Sequence, residues 1–210
     1  MRGIVMIKIE DYEIFKNNLS TLKETSKSSP DGDSGNIKYM TNSTHPAVNF
    51  DVVKRNYVNK LNLSEETASS FDSLVLFSNF TEKDQCVFIE FKDGKMKNEK
   101  RKIKDKIRDG LLVFCDIVKT DISETRKNID FILVYNEEKN PIASNQTAQV
   151  IGNSRNLIQN KILKKAKEEL IRFDLERFKT LYFRDVHTYT ENEFEEYLQT
   201  RVDSKSVCKY

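Results

Sequence analysis

The 210-residue sequence predicts an α/β fold, with a central mixed sheet flanked by helices. Three observations carry that expectation. "FDSLVLFSN" (71–79), "CVFIEFK" (86–92) and "IDFILVYNE" (129–137) are apolar runs of strand length. Between the second and third, Ile103, Ile107, Leu111, Phe114 and Val118 recur every three or four positions, the stripe of a helix that buries one face. Strands interrupted by helices in this order imply a mixed sheet rather than a helical bundle or a β-sandwich.

The remaining elements follow from local pattern. Residues 10–25 carry Tyr12, Phe15, Leu19 and Leu22 at helical spacing and predict an amphipathic helix. "TSKSSPDGDSGN" (25–36) lacks apolar side chains and reads as a flexible loop. "IKYMTNS" suits a short strand, and Asn49 suits the N-cap of a helix bearing Phe50, Val53, Tyr57 and Leu61. The short polar "FTEKDQ" between the first two central runs favours an antiparallel hairpin. Asp93-Gly94 then ends the second strand, and the striped helix is expected from about residue 98 to 118.

Downstream, "AQVIG" could add a short strand before a long helix marked by Ile158, Ile162, Ala166 and Leu170. "TLYFRDVHTY" reads as a further strand. "TENE" (190–193) has capping-box spacing and opens a last helix carrying Phe194, Tyr197 and Leu198, with "VDSKSVCKY" as a frayed tail. The whole of 1–210 is expected to form one domain: a helical N-terminal part (1–63), a core (64–137) and a C-terminal α/β extension (138–202).

Composition narrows the function classes. Hydrophobic residues make up 38% and charged residues 32% of the chain, with thirteen Phe and eight Tyr, which suits a globular protein with a charged surface. No apolar run is long enough for a membrane span, and the N-terminus lacks a secretory pattern. Cys86, Cys115 and Cys208 are odd in number and far apart, which predicts neither a disulfide framework nor a zinc site and points to a reducing cytoplasm. His45 and His187 have no second ligand at metal spacing. Net charge is +2, but the segment from Lys95 to Arg108 holds eight basic residues against two acidic ones, a local +6. Lys100, Lys104 and Arg108 on one helix face could contact a nucleic-acid backbone; a solvated helix face is the plainer alternative.

The chemistry concentrates at Glu90 and Lys92. Alternation along a strand puts both on one side, with Phe88 beneath them and Ile89 and Phe91 opposite. Asp72 begins the preceding strand, so an antiparallel return brings it toward Glu90. Two adjacent carboxylates repel, and a divalent cation such as Mg²⁺ relieves that conflict while leaving positions for phosphate oxygens. The plainer reading is a solvated Glu90–Lys92 pair on a half-exposed hairpin.

Asp72, "FIEFKDG" and the helix directly after it resemble the PD-(D/E)xK nuclease superfamily. Phe71, rather than the frequent Pro, precedes the Asp. The resemblance spans about residues 64–137 and implies a restriction-endonuclease-like core. It also implies that Asp72 and Glu90 bind Mg²⁺ or Mn²⁺, and that Lys92 assists the attacking water. The helical acid of some members would be Glu65 or Glu66. "SSFDSLVLF", "FIEFKDGK", "KIRDGLLVF" and "FKTLYFRDVHTYTENEFEEYL" also resemble a group of small bacterial proteins, to which no activity is attached.

The expected function is therefore metal-dependent hydrolysis of nucleic acid, DNA first, in bacterial defence or mobile-element biology. The alternative is an inactive scaffold of the same shape that binds nucleic acid, a protein partner or a second copy of itself.

Overall fold

The computed structural model describes residues 8–28, 37–77, 85–141 and 170–202. The strands, numbered along the chain, are β1 (Leu19–Thr21), β2 (Lys27–Ser28), β3 (Lys38–Tyr39), β4 (Pro46–Asn49), β5 (Ser73–Phe77), β6 (Gln85–Lys92), β7 (Ile129–Tyr135) and β8 (Asp185–Thr190). The α-helices are α1 (Glu13–Lys16), α2 (Leu22–Thr25), α3 (Phe50–Lys60), α4 (Met96–Val118), α5 (Ile122–Asn128) and α6 (Glu191–Val202).

Six strands form one mixed sheet in the order β1-β4-β5-β6-β7-β8, while β2 and β3 pair as a separate ribbon. β1, β4, β5 and β6 run antiparallel to their neighbours in turn. The β6–β7 and β7–β8 pairs are parallel. α4 and α5 lie between β6 and β7 in the chain, the long crossover that a parallel pair requires. The expected α/β architecture is thus present.

β7 explains its own unbroken apolar run. Phe131 and Leu133 join the cluster that contains Phe88, Ile103, Ile107 and Phe114, whereas Ile132 and Val134 join Ile89, Phe91, Phe194 and Leu198. Helices therefore cover both faces of the strand, and polar alternation would place half its side chains in the wrong medium. α4 packs on the first face through the stripe read from the sequence. Gly110 belongs to that contact: a Cβ there would stand 2.8 Å from the Phe71 ring, so only glycine lets the helix approach this closely. Phe71 in turn stacks on Phe88 at 4.3 Å between ring centroids.

Several local expectations hold. Asn49 accepts a hydrogen bond from the Val52 amide and caps α3. Thr190 and Glu193 exchange reciprocal bonds at the start of α6, which carries buried Phe194 and Leu198. On α3, Phe50 and Val53 are buried but Leu61 is 51% exposed, and Val58 completes the inner face instead.

Other expectations fail. The helix expected over 10–25 is broken into a 3₁₀ turn, α1, β1 and α2. Asn18 turns back onto the Ile14 carbonyl, β1 pairs with β4, and Leu19 is 55% exposed. The N-terminal part is consequently not simply helical, because it supplies two strands to the sheet. The expected 180–189 strand is confined to β8, and α5 was not anticipated. Most of the 25–36 loop, of the "FTEKDQ" turn and of the C-terminal tail, together with "AQVIG" and the helix bearing Ile158, Ile162 and Ala166, lie outside the described residues.

Candidate active site

Register builds the site. Ser73 lies opposite Ile89 in the antiparallel β5–β6 pair, so Asp72, one residue earlier, arrives beside Glu90. Two backbone links fix it there. Asp72 Oδ2 accepts a 2.6 Å hydrogen bond from the Phe91 amide, and the Asp72 carbonyl accepts one from the Phe50 amide at the start of α3. Phe88 precedes Glu90 on the same face of β6 and anchors it in the core beneath α4.

The solvated reading of Glu90 does not survive, since its side chain is completely buried. Asp72 is 15% exposed. Burial and the neighbouring Asp72 charge push the Glu90 carboxyl up to about 7. Burial likewise raises Asp72, against the pull of the Lys106 ammonium.

Lys106 is the residue that sequence reading missed. Its Nζ donates to Asp72 Oδ1 at 3.2 Å and to Glu90 Oε2 at 3.1 Å, bridging the two acids with one positive charge. Burial alone would lower the ammonium, but the two carboxylates outweigh it and hold the group above its ordinary value. A signal for it existed. Lys106 stands three residues after Ile103 and four before Gly110, on the buried stripe of α4, where an unpaired lysine would be costly.

Glu90 Oε1 lies 2.9 Å from Lys106 Nζ and 3.4 Å from Lys92 Nζ. Among the described residues it nevertheless receives no hydrogen bond of acceptable geometry. A buried carboxylate oxygen without a bonded donor is unusual, and here two ammonium charges, not a hydrogen bond, offset its desolvation. Lys92 is 20% exposed and also approaches Glu99 Oε2 at 3.8 Å. Among the described residues, no three His, Cys, Asp or Glu side chains gather into a ready cation cage.

Beside the acids opens a cleft of about 640 Å³, between the β2–β3 ribbon, the end of β6 and the first turn of α4. Asp72 and Lys92 line it. Asp93 fixes its geometry by binding Lys38, Lys139 and Asn136 at 2.9, 2.7 and 2.7 Å. Burial would raise the Asp93 carboxyl, but these three donors reverse the effect and bring it down to about 2. Lys38 also reaches Glu191 at 2.9 Å, so one lysine ties the ribbon to both β6 and α6.

The other sequence candidates fall elsewhere. Glu65 is half exposed and pairs with Arg55 at 3.0 Å, and Glu66 is exposed on the same 3₁₀ turn. The additional acid near the pair is Asp51 in the first turn of α3, which acts electrostatically on both Asp72 and Lys106. Ser70 donates a 2.5 Å bond to Asp51 and ties it to the segment leading into Asp72. Lys100 and Lys104 both engage Asp174, and Arg108 engages Asp105; none of the three lines the cleft.

Cys86 is buried and Cys115 half-buried, and burial pushes both thiols up, so neither is poised as a nucleophile. No described helix is long and apolar enough to cross a membrane. Comparison with protein families, with characterised proteins and with solved structures finds no match to this chain.

Proposed function

We propose that the protein is a metal-dependent nuclease of PD-(D/E)xK type, with Asp72, Glu90 and Lys92 as its working residues. The observation that carries this reading is the convergence of Asp72 and Glu90 from adjacent strands onto a shared cation, the Lys106 ammonium. A charge that draws two buried carboxylates together marks a position suited to Mg²⁺ or Mn²⁺, which needs one or two such ligands and keeps its other positions for water and phosphate. The unbonded Oε1 of Glu90 supports the same fit.

Asp72 and Glu90 would hold the metal. When bound, the ion supplies Lewis-acid polarisation of a phosphate and a bound water acidic enough to attack it. The chain's own residues do the rest. The Phe91 amide and the buried face of β6 fix the carboxylates, which keeps their reorganisation small. Lys92, near Glu90 and open to the cleft, is placed to orient a water or to neutralise charge on a phosphate. Bacterial defence or mobile-element biology, and a cytoplasmic setting, belong to the same proposal.

Lys106 also favours a second reading. By neutralising both acids internally, it would let the scaffold stand without metal and act only as a nucleic-acid- or protein-binding module. Thermal shift with Mn²⁺ and Mg²⁺ separates the two. The nuclease reading predicts a metal-dependent rise in melting temperature that Asp72→Ala abolishes. No rise in the native protein favours the binding module.

A further inference from the structure

We infer that the cleft beside Asp72 is a binding channel for the phosphate backbone of single-stranded nucleic acid, with Lys27 and Lys95 as its principal contacts. This rests on the nuclease reading for its place beside the acids, but not for its chemistry. Lys27 comes from β2 on one wall, and Lys95 is the N-cap of α4 on the other. Both side chains are exposed, and among the described residues neither has an ion-pair partner. The other charged groups lining the cleft are compensated: Asp72 by Lys106, Lys92 by Glu90 and Glu99, and Asp93 by Lys139. Among the described residues, the uncompensated charge of the cleft is therefore positive and stands on both walls.

Lys95 offers no side-chain cap to α4, and the Met96 amide donates instead to Asn140 Oδ1 at 2.7 Å, so the helix end contributes its dipole but not that amide to the cleft. Asn98 and Ser28 add neutral hydrogen-bonding groups to the lining. Size selects the strand type. A volume of about 640 Å³ is that of a small-ligand pocket, suited to a flexible strand and too small for a duplex. The +6 segment read from the sequence thus splits by face. Lys95, at its start, points to the cleft, whereas Lys100 and Lys104 are occupied by Asp174.

The test measures binding without cleavage. Fluorescence anisotropy of a labelled 12-mer oligodeoxynucleotide, single-stranded or duplex, is recorded in EDTA across a salt series. The native protein is expected to bind the single strand more tightly than the duplex. Lys27→Gln and Lys95→Gln should each weaken binding roughly threefold to tenfold at low salt and flatten the log–log salt slope by about 0.7. Lys119→Gln should change neither, and unchanged melting temperatures confirm that the variants fold. Tighter duplex binding overturns the inference. So does unaltered affinity in both cleft variants, or loss that appears only in Lys100→Gln and Lys104→Gln. Because no chemistry is scored, binding that behaves as expected in a protein that cuts nothing would sink the nuclease reading alone.

Discussion

The Lys106 ammonium stands 2.9 Å from Oε1 of the fully buried Glu90, and the same nitrogen reaches Asp72 at 3.2 Å. One charge on α4 thereby holds the ends of β5 and β6 together. Removing it strands two carboxylates in the core. Lys106→Met should lower stability by about 3 kcal/mol at neutral pH, within the usual range for breaking a buried pair. Denaturant unfolding measures that loss, and added Mn²⁺ should restore more of it than it adds to the native protein. A variant as stable as the native protein would show that the bridge carries no net energy.

Gly110→Ala tests how closely α4 must lie on the sheet. The new methyl would meet the Phe71 ring at 2.8 Å, and Phe71 immediately precedes Asp72. Overpacking of this kind costs about 1–3 kcal/mol and outweighs the gain in helix propensity. Thermal melting should therefore show a destabilised protein, against the usual stabilisation of Gly→Ala within a helix.

Asp93 predicts part of the acid limb. Its carboxyl is held down to about 2, below its unfolded value near 3.8. A lowered acid contributes stability that is complete above the unfolded value and disappears as pH falls through the folded one, here from about pH 4 to pH 2. Lys38 is 43% exposed, so solvent screens part of the effect and about 1 kcal/mol is expected. Asp93→Asn should lose that amount at pH 7 and converge with the native protein near pH 2. Parallel stability curves over that interval would contradict the assignment.

The legible parts of the sequence were those whose pattern is long. β6 and β7 each bury seven consecutive positions, which an unbroken apolar run marks, and α4 buries a stripe spread along 23 residues, which helical periodicity marks. β1 and β4 are three and four residues long, and strands that short carry too little alternation to outvote a helical spacing. The acids Asp72 and Glu90 were readable because strand register places them. Lys106 was not, because its role depends on α4 lying across β6, and one lysine in a segment of eight basic residues has no local mark beyond its place on the apolar stripe. Glu65 and Glu66 follow only from the resemblance to a superfamily in which some members carry an upstream helical acid. Asp51 reaches the site instead through the Phe50–Asp72 and Ser70–Asp51 hydrogen bonds, which only the folded chain creates.

The most direct measurement is cleavage of labelled single-stranded DNA, duplex DNA and RNA in Mn²⁺ and Mg²⁺, with Glu90→Gln and Lys92→Ala run beside the native protein. Glu90→Gln keeps the shape of a buried side chain while removing the charge of a metal ligand. Lys92→Ala removes the ammonium beside it. The account predicts cleavage that EDTA abolishes and that falls about 100-fold or more in each variant while the variant remains folded at the assay temperature. Cleavage at the native rate in either variant, or none by the native protein on any of the three substrates, would contradict it.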